Sequence, residues 1–142
     1  RKLNALNLFY AGNPWVGVGE GMFGGAVAMQ NQVLDGIDYF YVDNYFLKTM
    51  VEMGYCGLAA FCLMLLGFLG AACRALYRKA ADFKAGLDRL FPLCAGMFAG
   101  LCGVIVHCFF ENIFEEPYMM ACFWSIAGLI AWFGFLRKEA RA

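Results

Sequence analysis

The chain has 142 residues, of which 63% are hydrophobic and 15% charged, and its formal net charge is zero. Soluble domains average about 45–50% apolar and about 25% charged residues, so this composition excludes an ordinary water-soluble globule. The neutral total gives no indication of a nucleic-acid partner, and none is expected.

Residues 1–44 are predicted to form an extracytoplasmic segment, an amphipathic helix followed by a loop. In the first eleven residues, the apolar side chains recur on one helical face, and Asn13-Pro14 ends that helix. The next run, WVGVGEGMFGG, is rich in glycine. Such a run either cradles a phosphate through its backbone N–H groups or forms a loop that packs against helices. The strand and helix that should flank a nucleotide-binding loop are not apparent, and both interpretations stay open.

The first transmembrane helix is expected at 45–78, starting near Asp43 and continuing through Cys73, with a bend allowed at Gly54. Asp43 and Asn44 lie where an acidic, aromatic segment turns into an apolar one, at the boundary between water and lipid. An Asp at a helix start is ordinarily an N-cap, and the alternative is a catalytic carboxylate.

Lys48 and Glu52 are four residues apart in this helix, so a simple ion pair between them is one interpretation. Tyr45 and Phe46, with the aromatic residues at 39–41, match the aromatic belt that marks the end of a membrane span.

Two further transmembrane helices are expected at 89–112 and 117–137, because each range holds about 20 residues without a fixed charge. His107 lies near the end of the first of these, and Glu111 follows one turn later on the same face. Ionisable groups at membrane depth are candidates for function, although a single His near a helix end is often structural. Gly96 and Gly100 predict a close helix contact.

The predicted fold class is therefore all-α: an integral membrane helical bundle with three transmembrane helices, preceded by an extracytoplasmic Gly-rich loop. Basic residues concentrate at 74–89 and 137–141, which predicts that these segments are cytoplasmic and that 1–44 and 111–116 are outside. The seven cysteines fall in apolar blocks without a C-x-x-C pair, so they are expected to be core residues rather than metal ligands.

Three runs carry a resemblance to a known family: NPWVGVGEGMF, VDNYFLKTMVEMGYCGL and HCFFENIFEEPYMMACFWSIAGLI. They are similar to the C-terminal part of the O-antigen ligase and polymerase family, and together they cover nearly all of the chain. The most specific elements are the NP-x-x-GVG run and the DN-Y-x-L-x-x-x-x-E-x-G-x-x-G run, in the order and spacing of the family.

The resemblance implies a multi-pass glycosyltransferase of the bacterial inner (cytoplasmic) membrane, with a periplasmic or extracellular active face. Such an enzyme transfers or polymerises a glycan from an undecaprenyl-diphosphate carrier onto an acceptor hydroxyl of a glycan, lipid or protein. It needs no metal or other cofactor, because the lipid diphosphate is the leaving group. A transporter-like or non-catalytic membrane member of the same superfamily is the alternative.

The same resemblance makes this chain the C-terminal portion of a longer protein, inactive alone, because the arginines that hold the diphosphate lie upstream in the family. Gram-negative ligases often carry His where this chain has Asp43, so a carboxylate would serve as the general base here. The candidate catalytic residues are Asp43, Asn44, His107 and Glu111. The candidate substrate-binding residues are Gly17, Gly19, Glu20, Lys48 and Asn112.

Overall fold

The computed structural model describes Asn7, Tyr10 and residues 12–23, 43–84 and 89–136. Within these ranges the chain is helix and loop, without a β-strand, which confirms the predicted all-α fold for them. The elements in chain order are α1 (Tyr45–Lys84), α2 (Phe91–His107), a 3-10 turn (Ile113–Glu115), α3 (Pro117–Ala131) and a π-helical turn (Trp132–Leu136).

Some predicted features lie largely or wholly outside the described residues. Asn7 and Tyr10 are helical, but the rest of the amphipathic helix over 1–11 falls outside, as do the aromatic segment 39–41 and the basic tail 137–142. The structure therefore bears on the predicted extracytoplasmic segment mainly through residues 12–23.

Two helices are long and apolar enough to cross a membrane, judged by length and composition: α1 and the helix from Pro117 to Phe135. Pro117 opens the second of these at a position where its missing N–H costs nothing. α2 has only 17 residues, about 25 Å of helix against a hydrocarbon core of roughly 30 Å. It is shorter than the predicted span 89–112 because the residues from Cys108 to Phe110 form a turn. A third span remains a prediction.

α1 is two helices that meet at Gly54, whose backbone is not helical (φ 67°, ψ −169°). The ring of Tyr45 lies 5.4 Å from that of Phe61, and the ring of Phe46 lies 5.7 Å from it. Sixteen residues of straight helix would separate Tyr45 and Phe61 by about 24 Å. The two halves therefore fold back on each other at Gly54. The expectation of one helix from Asp43 to Cys73 is wrong, because glycine at a positive φ permits a reversal rather than a bend.

The chain forms two compact units, residues 1–63 with 107–114, and residues 64–106 with 115–142. In the second unit, the Phe68 ring packs against Phe123, and Ala75 packs directly against Gly134. The predicted close contact at Gly96 and Gly100 is not made within the described part of the chain, where nothing lies within 4 Å of an added Cβ at either glycine.

Candidate functional site

The glycine-rich loop is inserted into the break of α1. Its backbone carbonyls accept hydrogen bonds from the first N–H groups after Gly54, and its N–H groups donate to the last carbonyls before it. The four bonds are Tyr55 N to Pro14 O (2.9 Å), Cys56 N to Trp15 O (3.3 Å), Val18 N to Val51 O (3.0 Å) and Gly19 N to Glu52 O (2.9 Å). The loop thus satisfies backbone groups that a helix end leaves without intrahelical partners.

Gly17 and Gly54 make this insertion possible. A Cβ on Gly17 would lie 2.4 Å from the carbonyl oxygen of Glu52, and a Cβ on Gly54 would lie 2.4 Å from the backbone of Trp15. Both residues have positive φ, 79° and 67°, which side chains other than glycine rarely adopt. The N–H of Gly17 is used within the loop, where it donates to Asn13 O at 2.8 Å. These observations support the interpretation of the run as a packing loop rather than a phosphate cradle.

Glu52 fixes the other end of the loop. Its Oε1 accepts a hydrogen bond from the backbone N–H of Phe23 at 3.2 Å, in a buried setting. Phe23 and Val51 are buried together beneath the loop. Lys48 is also buried, one turn before Glu52, whereas Glu20 is exposed on the loop. Glu20 and Lys48 are the two charged residues among the predicted substrate-binding residues of this region, and only Glu20 is exposed.

The N-cap of α1 is Asn44, so the capping alternative for Asp43 is wrong. Asn44 Oδ1 accepts from Leu47 N at 2.8 Å, and its carbonyl accepts from Lys48 N at 3.0 Å. Asp43 is exposed and makes no hydrogen bond to any described residue. The capping interpretation therefore belongs to its neighbour, and the Asp43 carboxylate faces solvent.

Asn44 also joins the start of α1 to the turn that follows α2. Its Nδ2 donates to Phe109 O at 3.1 Å, and the N–H of Tyr45 donates to Cys108 O at 2.8 Å. Both polar atoms of the Asn44 side chain are thereby engaged in local structure. The amide positions the chain next to Asp43.

His107 and Glu111 form a pair in that same turn. His107 Nε2 lies 3.1 Å from Glu111 Oε2, and the two side chains are 50% and 65% exposed. The N–H of Glu111 donates to His107 O at 3.0 Å, which fixes the register of the pair. The structure thus brings the His107–Glu111 pair and Asp43 to one end of the first unit. Asn112, in contrast, is buried.

An aromatic cluster lies beside these polar groups, and no sequence pattern predicted it. Phe46 stacks on Phe109 with centroids 4.4 Å apart, and Phe114 contacts both Tyr45 and Phe61. Tyr45 and Phe46 belong to the predicted membrane-interface belt, and the reversal at Gly54 brings their rings to Phe61. No local pattern could have found this contact, because it depends on a backbone angle outside the cluster.

The chemistry available to the exposed polar groups is proton transfer. A carboxylate at Asp43 and an imidazole hydrogen-bonded to a carboxylate at His107 can each accept a proton from a hydroxyl group. Among the described residues, no group of three or more His, Cys, Asp or Glu side chains is arranged to hold a metal ion. No family model matches this chain, and the comparisons with curated proteins and with solved structures gave no match either.

Proposed function

We propose that this chain is the C-terminal part of a multi-pass membrane glycosyltransferase of the bacterial inner membrane. It transfers or polymerises a glycan from an undecaprenyl-diphosphate carrier onto the hydroxyl group of an acceptor glycan, lipid or protein. Its three apolar helices cross the bilayer, and the segments 1–44 and 111–116 face the periplasm or the cell exterior.

The observation that carries this proposal is the group of exposed polar residues at the N-terminus of α1. The Asp43 carboxylate does not cap the helix, because Asn44 does. The Asn44 side chain is hydrogen-bonded to the turn between His107 and Glu111. The apolar part of α1 begins after the break at Gly54, since residues 56–73 contain no charged residue. A carrier whose lipid lies in the bilayer and whose diphosphate lies at its surface requires polar chemistry at such a boundary.

A second support is the joint folding of the two runs on which the family resemblance rests. The NP-x-x-GVG run is the loop inserted into α1, and the E-x-G part of the other run forms the break that receives it. The two runs therefore form one structural unit, as expected if both belong to a single motif.

In the proposed step, Asp43 accepts the proton of the acceptor hydroxyl while the oxygen attacks the anomeric carbon of the glycan. A new glycosidic C–O bond forms, and the bond between the anomeric carbon and the diphosphate oxygen breaks. Undecaprenyl diphosphate leaves with the electron pair of that bond. Glu20, which is exposed on the loop, is available for contact with the substrate.

The test is glycan transfer by the full-length protein in membranes, with the Asp43→Asn variant. We expect transfer to fall by at least about 100-fold at unchanged protein level, because general-base catalysis contributes roughly 10²–10⁴-fold. Glu116→Gln is the matched control: this exposed carboxylate precedes α3 and makes no capping hydrogen bond, so its loss should leave transfer unchanged. Near-normal turnover of Asp43→Asn would show that the carboxylate is not the base.

A transporter is the second candidate, and the break in α1 is what favours it, since interrupted helices form ion and substrate sites in transporters. In those sites the free ends of the half-helices face the ligand. Here the loop backbone already occupies the ends on both sides of Gly54. Uptake of a small anion into vesicles by the full-length protein, without glycan transfer, would favour the transporter.

A further inference from the structure

The outer face of the inserted loop carries exposed aromatic side chains. Trp15 is 66% exposed, Tyr10 67% and Tyr55 41%. The rings of Trp15 and Tyr55 meet edge to face with centroids 5.9 Å apart. Tyr55 is also hydrogen-bonded to Tyr10 through the side chains. These three rings form what we call the aromatic platform.

The platform is held in place by backbone atoms rather than by burial of its rings. The Trp15 carbonyl accepts from Cys56 N, and the Trp15 N–H donates to Asn13 Oδ1 at 3.0 Å. The Trp15 side chain contributes to none of these bonds. A rigid support that leaves most of a large ring exposed is typical of a binding surface, because little of that ring is buried by folding.

The position of the platform along α1 follows from its contacts. Along α1, Tyr55 precedes Phe61 by six residues, about 9 Å of helix, on the side away from the apolar run 56–73. The polar end of the unit lies at the level of Phe61, because Phe46 contacts both Phe61 and Phe109. The platform therefore lies about 9 Å along α1 from the level of Phe61. Its neighbours Asn13 and Glu20 are exposed polar residues.

We propose that the aromatic platform is a sugar-binding subsite, which stacks Trp15 on a pyranose ring of the glycan chain. A sugar presents apolar C–H faces and hydroxyl edges, which match an indole ring beside the Tyr10 and Tyr55 hydroxyls. The part of α1 before the break, Tyr45 to Met53, has nine residues and a length of about 14 Å, and it lies between Asp43 and Gly54. The subsite thus binds a sugar remote from the reacting one. The inference rests on the proposed function for its choice of ligand.

The first experiment places Trp15 in water or in lipid. The full-length protein is reconstituted in phospholipid vesicles, and the emission lost on Trp15→Phe is taken as the Trp15 signal. We expect aqueous acrylamide to quench this signal and brominated phospholipid to leave it unchanged. Quenching by brominated phospholipid would make Trp15 a membrane anchor and overturn the subsite.

The second experiment measures binding. The probe is the oligosaccharide released by mild acid from the surface glycan of cells that naturally produce the protein. We expect Trp15→Ala to weaken binding at least about fivefold, as truncation of a ring that anchors an interface does. Trp15→Phe, which keeps a ring, should retain most of the affinity. Val16→Ala is the matched control, because Val16 is equally exposed and aliphatic. Wild-type affinity in Trp15→Ala would overturn the subsite.

The two proposals fail in different ways. Transfer activity that is unaffected by Trp15→Ala, with equal oligosaccharide binding, removes the subsite and leaves the transferase. The opposite result is also possible: the wild-type protein binds the oligosaccharide, Trp15→Ala weakens that binding, and the wild-type protein has no transfer activity. That result supports the subsite and removes the transferase.

Discussion

Gly17 and Gly54 each lie so close to the backbone beside the other that neither position has room for a Cβ atom. An added Cβ on Gly17 would lie 2.6 Å from Gly54 N, and one on Gly54 would lie 2.6 Å from Val16 N. Through this contact the glycine-rich loop and the break in α1 become one element. The position of Asp43 beside the turn after α2 depends on the contact between Gly17 and Gly54, because α1 reverses direction at Gly54.

Gly54→Ala and Gly17→Ala should each destabilise the protein. Each change adds a clash with backbone and a strained positive φ, and a residue held in such a conformation costs about 1–3 kcal/mol. Thermal unfolding of the purified full-length protein measures the effect. Gly67→Ala is the control: it lies in α1 with open space around it, and replacing a helical glycine should be neutral or stabilising. Unfolding of Gly54→Ala at the wild-type temperature would refute the insertion.

Asn44 should matter more for stability than Asp43, because Asn44 forms the cap. Asn44→Ala removes the N-cap, worth about 1 kcal/mol, and the bond to Phe109, worth roughly another 1 kcal/mol. Asn44→Ser retains a capping oxygen and should lose only the second contribution. Asp43→Ala should have little effect on thermal unfolding. A larger loss for Asp43→Ala than for Asn44→Ala would return the cap to Asp43.

His107 and Asp43 should be energetically coupled in glycan transfer. The turn that follows His107 is hydrogen-bonded to Asn44, next to Asp43, so the two groups lie at the same end of the first unit. A double-mutant cycle with His107→Ala and Asp43→Ala, measured as kcat/KM in the full-length protein, should give a coupling of about 0.5–3 kcal/mol. Strict additivity would mean that the residues act separately.

The orientation of the chain is testable by cysteine labelling in a background without the seven native cysteines. An impermeant reagent should label Gly12→Cys and Glu116→Cys in intact cells, because both positions are exposed and predicted to be outside. Lys84→Cys should react only after permeabilisation, since the basic segment 74–89 is predicted to be cytoplasmic. Labelling of Lys84→Cys in intact cells would reverse the orientation.

Helix positions were readable from the sequence, whereas the reversal of α1 was not. Uncharged blocks of about 20 residues indicate helices regardless of what they pack against. The contact between Tyr45 and Phe61 requires the backbone angles of Gly54, and these are set by a distant loop. Asp and Asn are equally good caps, so the choice between Asp43 and Asn44 could not come from propensity. Asn44 differs from Asp43 in its side-chain N–H group, which donates a hydrogen bond to the carbonyl oxygen of Phe109, far away in the sequence.

The inserted loop is attached to α1 through main-chain atoms and two glycines, while the side chains of Trp15, Val16 and Glu20 take no part in the four bonds that hold it. Substitution at these three positions leaves the anchoring intact. Evolution can therefore vary the chemistry displayed on the loop without redesigning the fold. We expect proteins with the same glycine pair to differ in sugar preference at positions 15 and 20 before they differ anywhere in the helices.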